Sequence, residues 1–377
     1  DIVPVVTSLT KFAVTVMDPA EIRYNIEKAY YLAMHGRRGP VWIDIPLDVQ
    51  AAEIEPSELR GYEPEVKPAD ISPVAVEQIR ALVCAAKRPV LLVGNGVKAA
   101  AAEEDLQRLR EKTGIPTLLT WKIIDLLDFD DPQYFGTPGG MGHRYANFVL
   151  QNADLLLVLG SRLDSSLTAW NHKNFALHAK KIVIDIDPTE TDKLDMDIAV
   201  RMDGDLAVIL PLLAAQDYKM AAELPAWQEY CMRMKAKYPA VTAEMRAEND
   251  YVDAHVFIDE LSRQLTADDV IVPESSGAAG EITYQALRVK NGQKVKNAAG
   301  LGSMGFGVPY ALGACLANGK RRTVLIDGDG AFQLNIQELA TIAARKLPIK
   351  MFLWMNGGYA SIMGTQRNFF DGNYVAA

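Results

Sequence analysis

Two short apolar runs late in the chain close on the same kind of residue. Thr323-Val324-Leu325-Ile326 leads into Asp327-Gly328-Asp329-Gly330, and Ile349-Lys350-Met351-Phe352-Leu353-Trp354 leads into Asn356-Gly357-Gly358. Between them Leu339, Ile342 and Ala343 fall at helical spacing. A strand, a helix and a second strand of this length predict a right-handed crossover with parallel strands. Both strand tips then lie at the carboxyl edge of one sheet, where open α/β sheets hold ligands. There Asp329 and Asn356 offer two hard oxygens to one cation, and the glycines beside them admit backbone at close range. The pattern predicts a site for Mg2+ and, through it, a diphosphate.

The rest of the chain alternates in the same way. Residues 19–34 read as a helix capped by Asp18, with Ile22, Ile26, Ala29, Tyr30 and Ala33 on its apolar face, and 41–45 as a strand. One helix and one strand cannot bury a core alone. Residues 51–72 are acidic and broken by Pro56, Pro64 and Pro68, a surface linker. From there helices at 74–86 and near 145–151 alternate with strands at 90–93, 116–120, 155–159 and 181–186. This predicts a second parallel sheet with helices outside, over residues 73–213. Residues 214–250 are polar and helical and read as a connector. A third unit, 251–377, carries a helix at 253–265, a strand at 270–272 and the two motifs above. The fold class is therefore α/β, with three-layer parallel-sheet domains around a Rossmann-like middle domain.

Four ordered segments resemble one family. Gly328-Asp329-Gly330 followed at its usual distance by Asn356 is similar to the thiamine diphosphate signature of the acetolactate synthase-like enzymes. The run from Gly300 to Pro309 resembles that family's cofactor loop, and Gly39-Pro40 to Gln50 the end of its pyrimidine-binding domain. Asp154 to Asp164 resembles its middle domain. On this resemblance residues 1–50 are the tail of a pyrimidine-binding domain and 251–377 an incomplete diphosphate-binding domain. The glutamate that activates the cofactor has no match here, so the chain is expected to be a fragment that does not turn over alone.

The resemblance also assigns roles. Asp329, Asn356 and the Gly358 carbonyl would hold Mg2+. The amides of Gly330 and Ala331, beside Gly328 at a helix start, would meet phosphate. The Gly302 carbonyl would accept from the cofactor's amino group, and Met304 would wedge between its two rings. A flexible thioether suits that filling role, although a methionine there is equally readable as core. Glu274-Ser275-Ser276, between a strand and a helix, would take the far end of the diphosphate. Acetolactate synthases usually carry Gly-Gln-His at this place, so a related decarboxylase or another carboligase is the alternative. Gly94-Asn95-Gly96 and Gly160 to Asp164 correspond to stretches that hold FAD in the family, but Ser166 stands where its phosphate-binding arginine would be; Asp185 to Pro188 reads as a strand end whose carboxylates would touch a ribose if a nucleotide is present. FAD is thus a possible second cofactor. His143, in a glycine-rich loop, reads either as facing substrate or flavin or as a surface histidine. A non-catalytic nucleotide-binding or regulatory protein is the alternative of a different class. A nicotinamide dehydrogenase is weaker still, since Gly94-Asn95-Gly96 lacks a third glycine.

Composition narrows the partners. A formal charge of -9 and a pI near 5.2 argue against nucleic acid. Arg37-Arg38 and Lys320-Arg321-Arg322 read as solvated surface. Cys84, Cys231 and Cys315 are far apart, which fits buried thiols in a reducing compartment and a cytoplasmic location. No apolar run reaches membrane-spanning length. A small 2-keto acid substrate and a homodimer or homotetramer follow from the resemblance.

Overall fold

The structure is a computed structural model describing residues 1–65, 71–248, 250–274, 277–298 and 300–375. Its strands form three sheets, all parallel. Strands β1 (Ala13–Thr15) and β2 (Trp42–Asp44) pair alone. A five-stranded sheet runs in the order β4 (Thr117–Leu119), β3 (Pro89–Val93), β5 (Leu155–Leu159), β6 (Lys180–Asp185), β7 (Val200–Asp203). A four-stranded sheet runs in the order β11 (Ile349–Trp354), β10 (Thr323–Gly328), β8 (Val270–Pro273), β9 (Lys294–Val295).

The central strands of the five-stranded sheet are continuous apolar runs because both faces are covered. Alternation sorts their side chains. Leu91, Val93, Leu157 and Leu159 enter one core, with Ile79, Leu106 and Ile209 from the helices. Val90, Leu92, Leu156 and Val158 enter the other, with Val149 and Leu150. The four-stranded sheet divides likewise: Ile271, Val324 and Ile326 pack on one side, Val270, Val272 and Leu325 on the other. Each Å2 of apolar surface that these two-sided sheets remove from water contributes about 25 cal/mol.

The sequence expectations meet three differences. The segment read as a connector contains the helix Leu224–Lys237, whose Leu224, Trp227 and Cys231 are buried against the middle sheet, with Trp227 Nε1 donating to the Pro89 carbonyl at 3.0 Å. Strands β1, β7 and β9 were not foreseen. The expected apolar face of the first helix, now Ile22–Met34, buries Ala29 but leaves Tyr30 71% exposed. Cys231 and Cys315 are buried free thiols, while Cys84 is half-buried. Among the described residues no helix is long and apolar enough to cross a membrane.

Candidate active site

Register brings the two motifs together. Strand β10 pairs with β11 so that Gly328 stands opposite Trp354. Asp329 therefore begins one residue, and Asn356 two residues, past the ends of neighbouring strands. Asp329 opens a single helical turn, Asp329–Phe332, and its Oδ1 accepts from the Gly330 amide at 2.7 Å. Asn356 is exposed at the same edge. Gly357 and Gly358 follow with φ of +86° and +139°, a left-handed path that side chains disfavour. A Cβ placed on Gly328 or Gly357 would meet nothing within 4 Å, so this edge is open.

The glycine-rich loop docks on that edge at three points. A Cβ on Gly330 would stand 3.3 Å from the Met304 methyl carbon. The Gly305 carbonyl accepts from Asn335 Nδ2 at 2.6 Å. A Cβ on Gly307 would stand 2.5 Å from Glu274 Oε2 and 2.6 Å from Asp327 Oδ2. Gly302 lies in the same loop with φ of +67°. Met304 sits in the turn before the helix Gly307–Ala317, half-buried over Gly330 and outside the helical stripe that would make it core.

Beneath the edge, Glu274 and Asp327 are almost wholly buried. Burial first, and the Glu274 charge second, hold the Asp327 carboxyl well above the usual carboxylate range. Its Oδ1 accepts from the Gly328 amide at 2.8 Å, so it also braces the turn. Glu274 faces inward beneath the strand tips. Ser275 and Ser276 lie outside the described residues, and the helix Gly277–Ala286 begins directly after them. A Cβ on Gly277 would reach Ser361 Oγ at 3.2 Å, which brings the start of this helix to that of Ala360–Phe369. Ala331 is buried within the single turn.

This edge fits a Mg2+-bound diphosphate. It offers one carboxylate and one amide oxygen on adjacent tips, open space above the glycines and helix starts facing it. Among the described residues no three His, Cys, Asp or Glu side chains cluster around a point, so an ion here would draw on Asp329, Asn356, a backbone carbonyl and its ligand.

The middle sheet has a site of its own. Gly94, Asn95, Gly96, Gly160, Arg162, Asp164, Ser166 and Asp185 line one cavity of about 910 Å3, joined by Arg37, Arg38, Lys122 and Lys296. Arg37 and Arg38 are exposed, as expected of solvated surface, and each also makes a contact beside this cavity. Arg37 pairs with Glu190 at 3.0 Å, and Arg38 donates to the Ala99 carbonyl at 2.8 Å. Burial first and the Lys296 charge second hold Lys122 below the usual lysine range.

His143 is neither a surface residue nor open to a ligand. It is 6% exposed, its Nδ1 accepts from the Thr137 amide at 3.0 Å, and its Nε2 donates to the Gln285 carbonyl at 2.9 Å. Burial is the main reason its pKa falls to about 4. Sequence reasoning also missed Tyr359, and it read Gly307 as part of the loop from Gly300 to Pro309 without its contact to Glu274 and Asp327. Only the placement of Tyr359 directly after two glycines could have pointed to it.

A parallel sheet with an open, oxygen-bearing carboxyl edge defines a phosphate-cofactor protein of the α/β class. Comparison with known proteins narrows this. Residues 76–212 match the profile "Thiamine pyrophosphate enzyme, central domain", and residues 276–377 match "Thiamine pyrophosphate enzyme, C-terminal TPP binding domain". The chain belongs to the thiamine pyrophosphate enzymes. It is 34% identical to the acetolactate synthase large subunit of Corynebacterium glutamicum, covering 99% of this chain and 60% of that protein. It is 34% identical to acetolactate synthase 1, chloroplastic, of Zea mays, covering 99% and 58%. It is 32% identical to the acetolactate synthase isozyme 2 large subunit of Escherichia coli strain K12, covering 99% and 66%. The chain spans roughly three-fifths of the curated relatives it matches.

Proposed function

We propose that the protein is a thiamine diphosphate- and Mg2+-dependent enzyme that decarboxylates 2-keto acids and joins the product to a second carbonyl, in the manner of acetolactate synthases. The observation that carries this reading is the β10–β11 register, which sets Asp329 and Asn356 on adjacent tips with Met304 over Gly330. When bound, the cofactor would supply the electron sink for loss of CO2. The chain's own residues do the holding. Asp329, Asn356 and the Gly358 carbonyl bind the ion, and the amides of Gly330 and Ala331 meet phosphate. Met304 and Gly302 hold the ring geometry. Glu274 and Asp327 brace the floor.

Calorimetry with thiamine diphosphate and Mg2+, followed by product analysis with pyruvate on a protein that spans the full length of the relatives, tests the reading. Mg2+-dependent binding and acetolactate formation are expected. Binding without acetolactate would shift the assignment to a decarboxylase or another carboligase, and absence of binding would overturn it. A homodimer or homotetramer in a reducing cytoplasm is the setting we propose. The cavity beside the middle sheet supports FAD as a second cofactor, because it has nucleotide size and carries Lys122, Arg162 and Lys296 for phosphates. Flavin absorbance of the purified protein tests this.

A further inference from the structure

We infer that Tyr359 is a cofactor-positioning residue, forming the wall against which the cationic ring of the cofactor rests; this depends on the diphosphate-site reading above. The left-handed turn at Gly357 and Gly358 reverses the chain after β11 and sends Tyr359 back over the neighbouring strand tip. Its ring lies directly on Gly330. A Cβ on that glycine would stand 2.1 Å from Tyr359 Cε1 and 2.3 Å from Cδ1, far inside contact distance. The Met304 methyl carbon approaches the same point at 3.3 Å. Ring and thioether thus meet over one backbone position, between the cation-bearing tips and the glycine-rich loop.

The ring is held at two places. Its far end accepts a hydrogen bond from Gln333 Nε2 at 3.2 Å, and Gln333 follows Gly330 by one helical turn. Its near end is fixed where Tyr359 caps the helix Ala360–Phe369, whose Met363 amide donates to the Tyr359 carbonyl at 2.9 Å. A ring anchored at both ends presents a fixed aromatic surface at little entropic cost on binding. Its electron-rich face suits a cation, and its flat shape suits a planar heterocycle. Gly330 is therefore needed less for the turn than to make room for this ring.

The test compares Tyr359→Ala, Tyr359→Phe and Gln333→Ala with the unmodified chain, using two ligands, each with Mg2+: thiamine diphosphate and inorganic diphosphate. Tyr359→Ala should weaken thiamine diphosphate about tenfold by calorimetry, equivalent to about 1.4 kcal/mol. It should leave inorganic diphosphate within about twofold, because the wall meets the ring and not the phosphates. Tyr359→Phe keeps the ring and should restore binding to within about threefold, with Gln333→Ala matching it. Thermal melting of the ligand-free proteins shows whether each variant folds. A folded Tyr359→Ala that binds thiamine diphosphate normally, or that loses both ligands equally, overturns the role of Tyr359. Failure of the unmodified chain to bind inorganic diphosphate with Mg2+ overturns the site reading itself, and this inference with it.

Discussion

The two large sheets both end in glycine-rich carboxyl edges, and Gly94 and Gly96 on one are there for a reason opposite to that of Gly328 and Gly357 on the other. At the middle sheet a Cβ on Gly94 would stand 2.3 Å from the Gly160 carbonyl oxygen, and one on Gly96 would stand 2.6 Å from the Gly160 Cα. Three glycines let the tips of β3 and β5 fill each other's space. At the four-stranded sheet the same test on Gly328 and Gly357 finds nothing within 4 Å. One edge is closed by backbone and the other is left open beside Asp329 and Asn356. A glycine motif alone does not separate the two cases. What separates them is whether another part of the chain already occupies the room the glycine makes. The middle cavity lies beside its closed tips, lined by Arg162, Lys122 and Lys296, so a nucleotide there would be held by side chains more than by the glycines.

The contrast breaks most easily through a methyl group. Gly94→Ala must push apart two buried strand tips, and such overpacking at backbone costs about 3 kcal/mol or more. Gly328→Ala adds the same methyl to open space at a φ of -89°, and its stability should stay within about 0.5 kcal/mol. Urea unfolding of both variants is the measurement. Equal losses would mean that the two edges are packed alike. The next largest effect is on ligand. Asp329→Ala removes the one carboxylate at the open edge and should weaken Mg2+-dependent binding of thiamine diphosphate by about a hundredfold, or about 2.7 kcal/mol. Its melting temperature without ligand should not fall, because Asp329 is half-exposed and its carboxylate, among the described residues, accepts a hydrogen bond from the neighbouring Gly330 amide alone. Retained binding would leave the open edge without its proposed purpose.

Much of this was legible before any coordinates. β5 and β11 were read at the bounds observed, because a buried parallel strand is a continuous apolar run. The motif Asp327 to Gly330 and its partner Asn356 were placed on adjacent tips by the crossover rule alone. What escaped depended on distant partners. β9 is two residues long and pairs only at Lys294 and Val295, too short for any period to register. Trp227 lies in a stretch that reads as a polar connector, yet its indole bonds to Pro89, far back in the chain. Tyr359 and Gly307 matter because of what stands opposite them, Gly330 in one case and two carboxyls in the other. The glycines before Tyr359 and the loop around Gly307 mark the places, but no local pattern names those partners. His143 was misread for the same reason, since its partner Gln285 belongs to the other sheet's helix.

That histidine joins the two regions and supplies the smallest effect. His143 belongs to the loop beside the middle sheet, and its Nε2 donates to Gln285 on the helix Gly277–Ala286, which begins at the open edge. The carbonyl accepts and the Thr137 amide donates, so the neutral ring with its proton on Nε2 is the form that fits. A second proton would face the Thr137 N–H in a buried site. The folded pKa, about 4, lies below the ordinary value of 6.5. The unfolded chain therefore takes up a proton as pH falls through 6.5 while the folded chain does not, and stability drains away between that pH and about 4. Between pH of about 7.5 and about 5.5 this amounts to about 1.3 kcal/mol. His143→Asn keeps an acceptor for Thr137 but cannot titrate. It should start less stable at the higher pH, because the bond to Gln285 is gone, and should lose this part of the pH slope. Urea midpoints at the two pH values decide the matter. A variant whose slope equals that of the unmodified protein would show that the junction between the two sheets does not sense protons, and that the acid sensitivity arises elsewhere in the fold.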